Sequence, residues 1–172
     1  GGCLSSSAVA SLGSIGLGDL PDRLGNKLER LELAAGSARA ALRVRGGVAL
    51  PRNLLDAELI AAAVEAGAEF LPETAAFSRI AIAADGLAGT SLAKRPEFAV
   101  GTREGSLMGV SGTADDADWC DRRASVFMTC GVGGYVGAVR FIDGRLHVAA
   151  ALDPGFIRSR GGPTGAVNEI LT

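Results

Sequence analysis

An α+β fold with a largely antiparallel β-sheet and a covering helix is what this 172-residue sequence predicts, and three observations carry the prediction. From Gly105 onward, glycine-rich turns alternate with short β-type segments. Asp143-Gly144 separates two of those segments as a hairpin turn. Asn53–Ala66 places Leu55, Leu59, Ala62, Ala63 and Ala66 on one helical face.

In chain order, the Ser-rich entry Cys3–Leu17 reads as a short helix. Ser5, Ser6 or Ser7 is its cap, Val9, Leu12 and Ile15 stand at helical spacing, and Gly16 and Gly18 end it. A turn over Pro21–Gly25 leads to strand-like Leu28, Leu31 and Leu33. Ala40, Leu42 and Val44 then alternate with Ala41 and Arg43, so two strands are expected to pair. Asn53 caps the long helix and Gly67 terminates it. Glu69–Leu71, a break at Pro72 and the apolar run Arg79–Ala84 read as strand, buried strand and a tight Asp85-Gly86 turn. Four β segments follow at Leu107–Val110, Ser125–Cys130, Tyr135–Ile142 and Arg145–Leu152. The last two flank Asp143-Gly144, which can supply the positive φ values of a type I′ turn. After Gly161-Gly162-Pro163 comes a final helix with Thr164 as cap and Val167, Ile170 and Leu171 as apolar positions.

The length suits a single domain over residues 1–172, and a hydrophobic fraction of 48% excludes a disordered chain. Seventeen basic against nineteen acidic residues, with no Lys/Arg cluster interleaved with aromatics, argues against nucleic-acid binding. No apolar run approaches the roughly 20 residues that span a bilayer, and no targeting peptide is visible. Cys3, Cys120 and Cys130 are an odd set without a CxxC pair, which fits reduced thiols and a cytoplasmic setting better than disulfides or zinc.

Few residues suggest chemistry alone. Gly16 and Gly18 mimic half of a dinucleotide fingerprint, but they follow a helix rather than a strand. His147, the single histidine, lies in an apolar strand and reads as a hydrogen-bonded structural residue rather than a base. Asp115, Asp116, Asp118 and Asp121 around Trp119 lack the Gly and terminal Glu of a calcium loop, so a solvated loop is expected and no metal. No side chain stands out as acid, base or nucleophile.

Four segments together carry a resemblance. Gly1-Gly2-Cys3-Leu4-Ser5 is similar to a Cys-Gly-Gly-type loop. Leu50-Pro51-Arg52, with Leu55, Asp56 and Leu59, is similar to an Arg-x-x-Leu-Asp-x-x-Leu helix start. Asp85-Gly86-Leu87-Ala88-Gly89 follows its apolar run as an Asp-Gly motif does. Gly133-Gly134-Tyr135-Val136-Gly137, continuing through Arg140 to Leu146, is similar to a Tyr-x-Trp-Gly segment, with no tryptophan beside Val136. The chain thereby resembles FAD-dependent oxidoreductases of the geranylgeranyl-reductase and aromatic-hydroxylase flavoprotein superfamily over most of its length.

The resemblance implies FAD as cofactor, with Cys3 near the flavin ring and Arg52, Asp85 and Gly86 as further cofactor-binding residues. A planar guanidinium at a helix start can hold pyrophosphate or ribose oxygens bidentately. Tyr135 would line the cavity of a small-molecule substrate, apolar or isoprenoid-like, that exchanges hydride with the flavin. The family also has a G-x-G-x-x-G fingerprint ahead of these segments and a Gly-Asp segment after them, and this sequence shows neither. The chain is therefore expected to be the substrate-side part of a larger two-domain flavoprotein, inactive alone and prone to self-association. Each segment also has a plain reading: an incidental thiol, a solvated arginine, a common turn, a core hairpin. A non-enzymatic small-molecule-binding or protein-interaction module is the alternative these leave open.

Overall fold

The computed structural model describes residues 2–72, 80–86, 90–92, 95–98, 101, 103–114 and 124–172. Seven strands form one sheet: β1 (Cys3–Leu4), β2 (Asn26–Ala35), β3 (Ala38–Ala49), β4 (Met108–Ala114), β5 (Ser125–Gly131), β6 (Gly134–Arg140) and β7 (Leu146–Leu152). Their order is β1-β3-β2-β5-β6-β7-β4, and only the β2–β5 pairing is parallel. The helices are α1 (Ser6–Ser14), α2 (Leu20–Leu24), α3 (Arg52–Glu65), α4 (Pro154–Ser159) and α5 (Pro163–Leu171). This is the α+β class the sequence predicts. The chain divides into two compact units, residues 1–59 with 107–172, and residues 60–106; the whole sheet belongs to the first.

Local chemistry explains most element ends. The Ser5 hydroxyl accepts the Ala8 N–H at 3.3 Å and so caps α1, which stops where Gly16 takes φ 82°. Ile15 lies past the last turn and is exposed, so the buried stripe is Val9 and Leu12 alone. The expected Pro21–Gly25 turn is the one-turn helix α2, with Pro21 in its first turn where a missing N–H costs nothing. In α3, Leu55 and Leu59 pack with Leu12, Leu20, Val48 and Leu50. Ala63 and Ala66, expected on the same face, are exposed.

At the other end of the sheet, Ile157 of α4 and Ala166 and Ile170 of α5 pack on Val136, Ala150 and Leu152. Helix α4 has no counterpart in the sequence-based expectation. Its start is set by Asp153, whose carboxylate accepts the Phe156 N–H at 2.8 Å, followed by Pro154. The cap of α5 is Gly162 rather than Thr164.

Two expectations are corrected. Residues 80–84 are not a buried strand: Ile80 is 81% exposed and Ile82 91%. A strand needs a neighbouring edge for its N–H and C=O groups, and among the described residues none pairs with this run or with Glu69–Leu71. The β6–β7 turn is not type I′. Phe141 N–H donates to Arg145 O at 2.9 Å and Gly144 N–H to Phe141 O at 3.0 Å, while only Gly144 takes a positive φ, of 88°. That is a three-residue connection closed by a left-handed glycine. Arg79, Cys120, the aspartates 115, 116, 118 and 121, and Leu87-Ala88-Gly89 lie outside the described residues.

Pairing and strand alternation give the sheet two unlike faces. Lys27, Arg30, Glu32, Arg39, Arg43 and Arg140 lie on one, together with the helix-packing residues Val48, Val136, Ala150 and Leu152. Across the register, Cys3, Leu31, Leu42, Val126, Tyr135, Val139 and His147 lie on the other, and no Asp, Glu, Lys or Arg occupies a paired position there.

Candidate functional site

The first unit brings three of the sequence-predicted residues onto or beside the uncharged face. Cys3 pairs with Ala49, which packs with Val139 and Phe141, so β1 lies at the edge of that face. Leu50 N–H donates to Gly2 O at 3.0 Å and holds the Gly2-Cys3 loop against the Leu50-Pro51 entry to α3. Arg52 is the first residue of α3. Its side chain is 70% exposed, and Nε reaches Asp56 Oδ1 at 2.6 Å, one helical turn on.

Gly2, Pro51, Arg52 and Asn53 form one side of an open cleft of about 470 Å³. Ser111–Thr113 of β4 and Phe141, Arg145 and His147 form the rest. The cleft thus holds two guanidinium-bearing side chains, two hydroxyls and one imidazole, with no carboxylate among its lining residues. Arg145 is oriented by Asp143, whose Oδ2 meets the guanidinium at 2.7 Å; that cation holds the Asp143 carboxyl below its usual range.

His147 departs from its expected role as a hydrogen-bonded structural residue. Its ring stacks on Phe141, centroids 5.2 Å apart and planes 19° from parallel, while Nε2 is shielded and has no hydrogen-bond partner among the described residues. Desolvation pushes its pKa below the ordinary value, so the neutral ring is favoured. Desolvation likewise raises the Cys3 thiol and keeps it protonated, although the residue as a whole lies at the exposed edge.

Tyr135 sits further along the same face, between Cys130 and Ala151, and is 41% exposed. Asp85 and Gly86 belong to the second unit. There the Asp85 carboxylate accepts the Ser91 N–H at 2.6 Å and Gly86 takes φ 70°, a turn in which the aspartate organises backbone. Sequence reasoning missed Arg145 and His147 as site residues. Their i, i+2 spacing at the start of a strand, which turns both side chains to one side, was the signal available.

No protein-family model matches the chain, and no curated protein matches it in sequence. Solved structures do match. PqsL of P. aeruginosa, solved with 2-aminobenzoylacetate, is 16% identical with a TM-score of 0.70, covering 92% of this chain and 51% of its own. A flavoprotein/dehydrogenase from Cytophaga hutchinsonii is 12% identical with a TM-score of 0.70, covering 91% and 47%. HpxO of Klebsiella pneumoniae, in its R204Q form complexed with FAD, is 15% identical with a TM-score of 0.64, covering 88% and 47%. The chain has the fold of these proteins and spans about half of their length. Among the described residues no helix is long and apolar enough to cross a membrane.

Proposed function

We propose that this chain is the substrate-side portion of an FAD-dependent oxidoreductase of the geranylgeranyl-reductase and aromatic-hydroxylase superfamily. One observation carries the reading. On a fold shared with a protein solved with FAD, the Gly2-Cys3 loop and the Arg52 helix start, two segments of independent resemblance, meet at a single cleft.

The residues present fit such a cofactor. Two cationic side chains, two hydroxyls and an unpartnered imidazole nitrogen suit an anionic, oxygen-rich group, and the lining has no carboxylate to repel it. In this reading Arg52 holds the phosphate or ribose part, Cys3 lies toward the ring, and Asp85 and Gly86 supply a second cofactor contact. FAD, when bound, supplies the hydride transfer; the protein binds, orients and excludes water. The uncharged face suits a neutral, apolar small molecule, because an apolar surface gains by shedding water against a like ligand, with Tyr135 offering the one phenolic hydroxyl along it.

The test is titration of the purified chain with FAD, followed by quenching of flavin fluorescence, with Arg52→Ala and Asp85→Ala alongside. Saturable binding weakened by both changes is the expected result. Absence of binding would remove the flavin site from this chain and favour a non-enzymatic binding or interaction module.

A further inference from the structure

The cleft described above contains one group whose state is unexplained by the fold. A polar atom withdrawn from water without a partner is costly, and folded proteins rarely keep one except where something else pairs with it. His147 Nε2 is such an atom. Its surroundings are built: the ring plane is fixed by stacking on Phe141, and Gly2 lies directly on the ring edge, so that a Cβ on Gly2 would stand 2.7 Å from Cδ2, the carbon bonded to Nε2. The cover over this nitrogen is therefore the smallest residue available. Its carbonyl is held by the Leu50 N–H.

We infer that His147 donates a hydrogen bond from Nε2 to an anionic oxygen of the ligand in this cleft, the ligand displacing Gly2 from the ring edge. The inference rests on the flavin reading for the ligand's identity: its phosphate oxygens are the acceptors. The two cations of the cleft suit an anion, and each also meets a carboxylate, Arg145 that of Asp143 and Arg52 that of Asp56. Arg145 comes from the turn before its own strand and Arg52 from the start of α3, while β4 presents Ser111 and Thr113 and β6 presents Val139, none of them charged. Burial disfavours the charged ring, which leaves the imidazole neutral and able to donate without bringing a charge of its own. His147 is a positioning residue here, holding one oxygen of the cofactor.

Because His147 is the single histidine, its imidazole resonances need no assignment experiment. The expected result is that FAD shifts the His147 ring signals and raises its titration midpoint by about one unit, as a nearby anion favours the protonated ring. Inorganic pyrophosphate should produce a shift of the same sign, and riboflavin, which has no phosphate, a much smaller one. His147→Phe should weaken FAD binding on the order of tenfold without lowering Tm, and His147→Gln should recover part of the affinity. FAD binding with His147 signals unmoved would overturn the inference and leave the flavin reading intact. Riboflavin acting as strongly as FAD, or His147→Phe lowering Tm in step with affinity, would also overturn it. If FAD does not bind at all, the flavin reading falls and this inference with it.

Discussion

The bond from Leu50 N–H to Gly2 O, 3.0 Å long, fastens the first strand to the last residues before α3 and makes neighbours of two residues 48 positions apart. That proximity leaves space for no side chain at position 2, because a Cβ would press on the His147 and Phe141 rings. Gly2→Val should therefore cost about 1–3 kcal/mol and perturb the imidazole, read by urea unfolding and by the His147 ring signals. A stable variant with an unmoved ring would show that the loop does not bear on the cleft.

A second glycine carries more. Gly134 opens β6 with φ 147°, and a Cβ there would run into the Ala151 carbonyl oxygen of β7. Neither the conformation nor the strand spacing can yield cheaply. Gly134→Ala should cost about 3 kcal/mol, the strain and overpacking together, and lower Tm by roughly 6–12 °C.

How much of this was legible depends on whether local chemistry or a distant partner decides. The β5, β6 and β7 segments and the α1 cap were readable because alternation and a capping hydroxyl act within a few residues, whereas α3 begins at Arg52 and takes Asn53, its expected cap, into the first turn. The Asp153-Pro154 start of α4 had the same local signal and was overlooked. The apolar run before Asp85 could not be judged that way. Continuous hydrophobicity permits a buried strand, but whether a neighbouring edge exists is not written in the run itself. The same holds at the site. Arg52 stands out by its place in a motif, whereas the packing of His147 in the cleft depends on a glycine 145 positions away.

Stability should fall on acidification through His147. Desolvation lowers its folded-state pKa below the ordinary value near 6.5 that the unfolded chain shows. Above that value both states are neutral and the group contributes nothing. As pH falls below it, the unfolded chain takes up a proton that the folded chain resists, so stability is lost until pH passes beneath the folded value. Urea midpoints at pH 7.5 and 5.5 should differ for the native sequence, and His147→Phe should flatten the difference.

Substitution of Arg52 should separate binding from folding. Its exposed pairing with Asp56 contributes little, so Arg52→Ala should change unfolding free energy by no more than about 0.5 kcal/mol. FAD affinity should nonetheless drop, read by fluorescence quenching. An equal loss in both measurements would make Arg52 a structural residue of α3.

The uncharged sheet face makes the last prediction. Leu42 lies on it 51% exposed, with Leu31 opposite on β2, and every paired charge of the sheet is on the other side. Apolar surface of this extent lowers its free energy by meeting its like, so the 172-residue chain should associate as its concentration rises. A carboxylate at the centre of the patch would have to be desolvated in any such contact, at a cost of several kcal/mol. Leu42→Glu should accordingly shift the chain toward monomer in sedimentation or size-exclusion measurements, with little loss of stability because the position is half open to water. A native chain that stays monomeric at high concentration would mean that this face is already covered, and Tyr135 would then lie beneath that cover rather than beside a substrate.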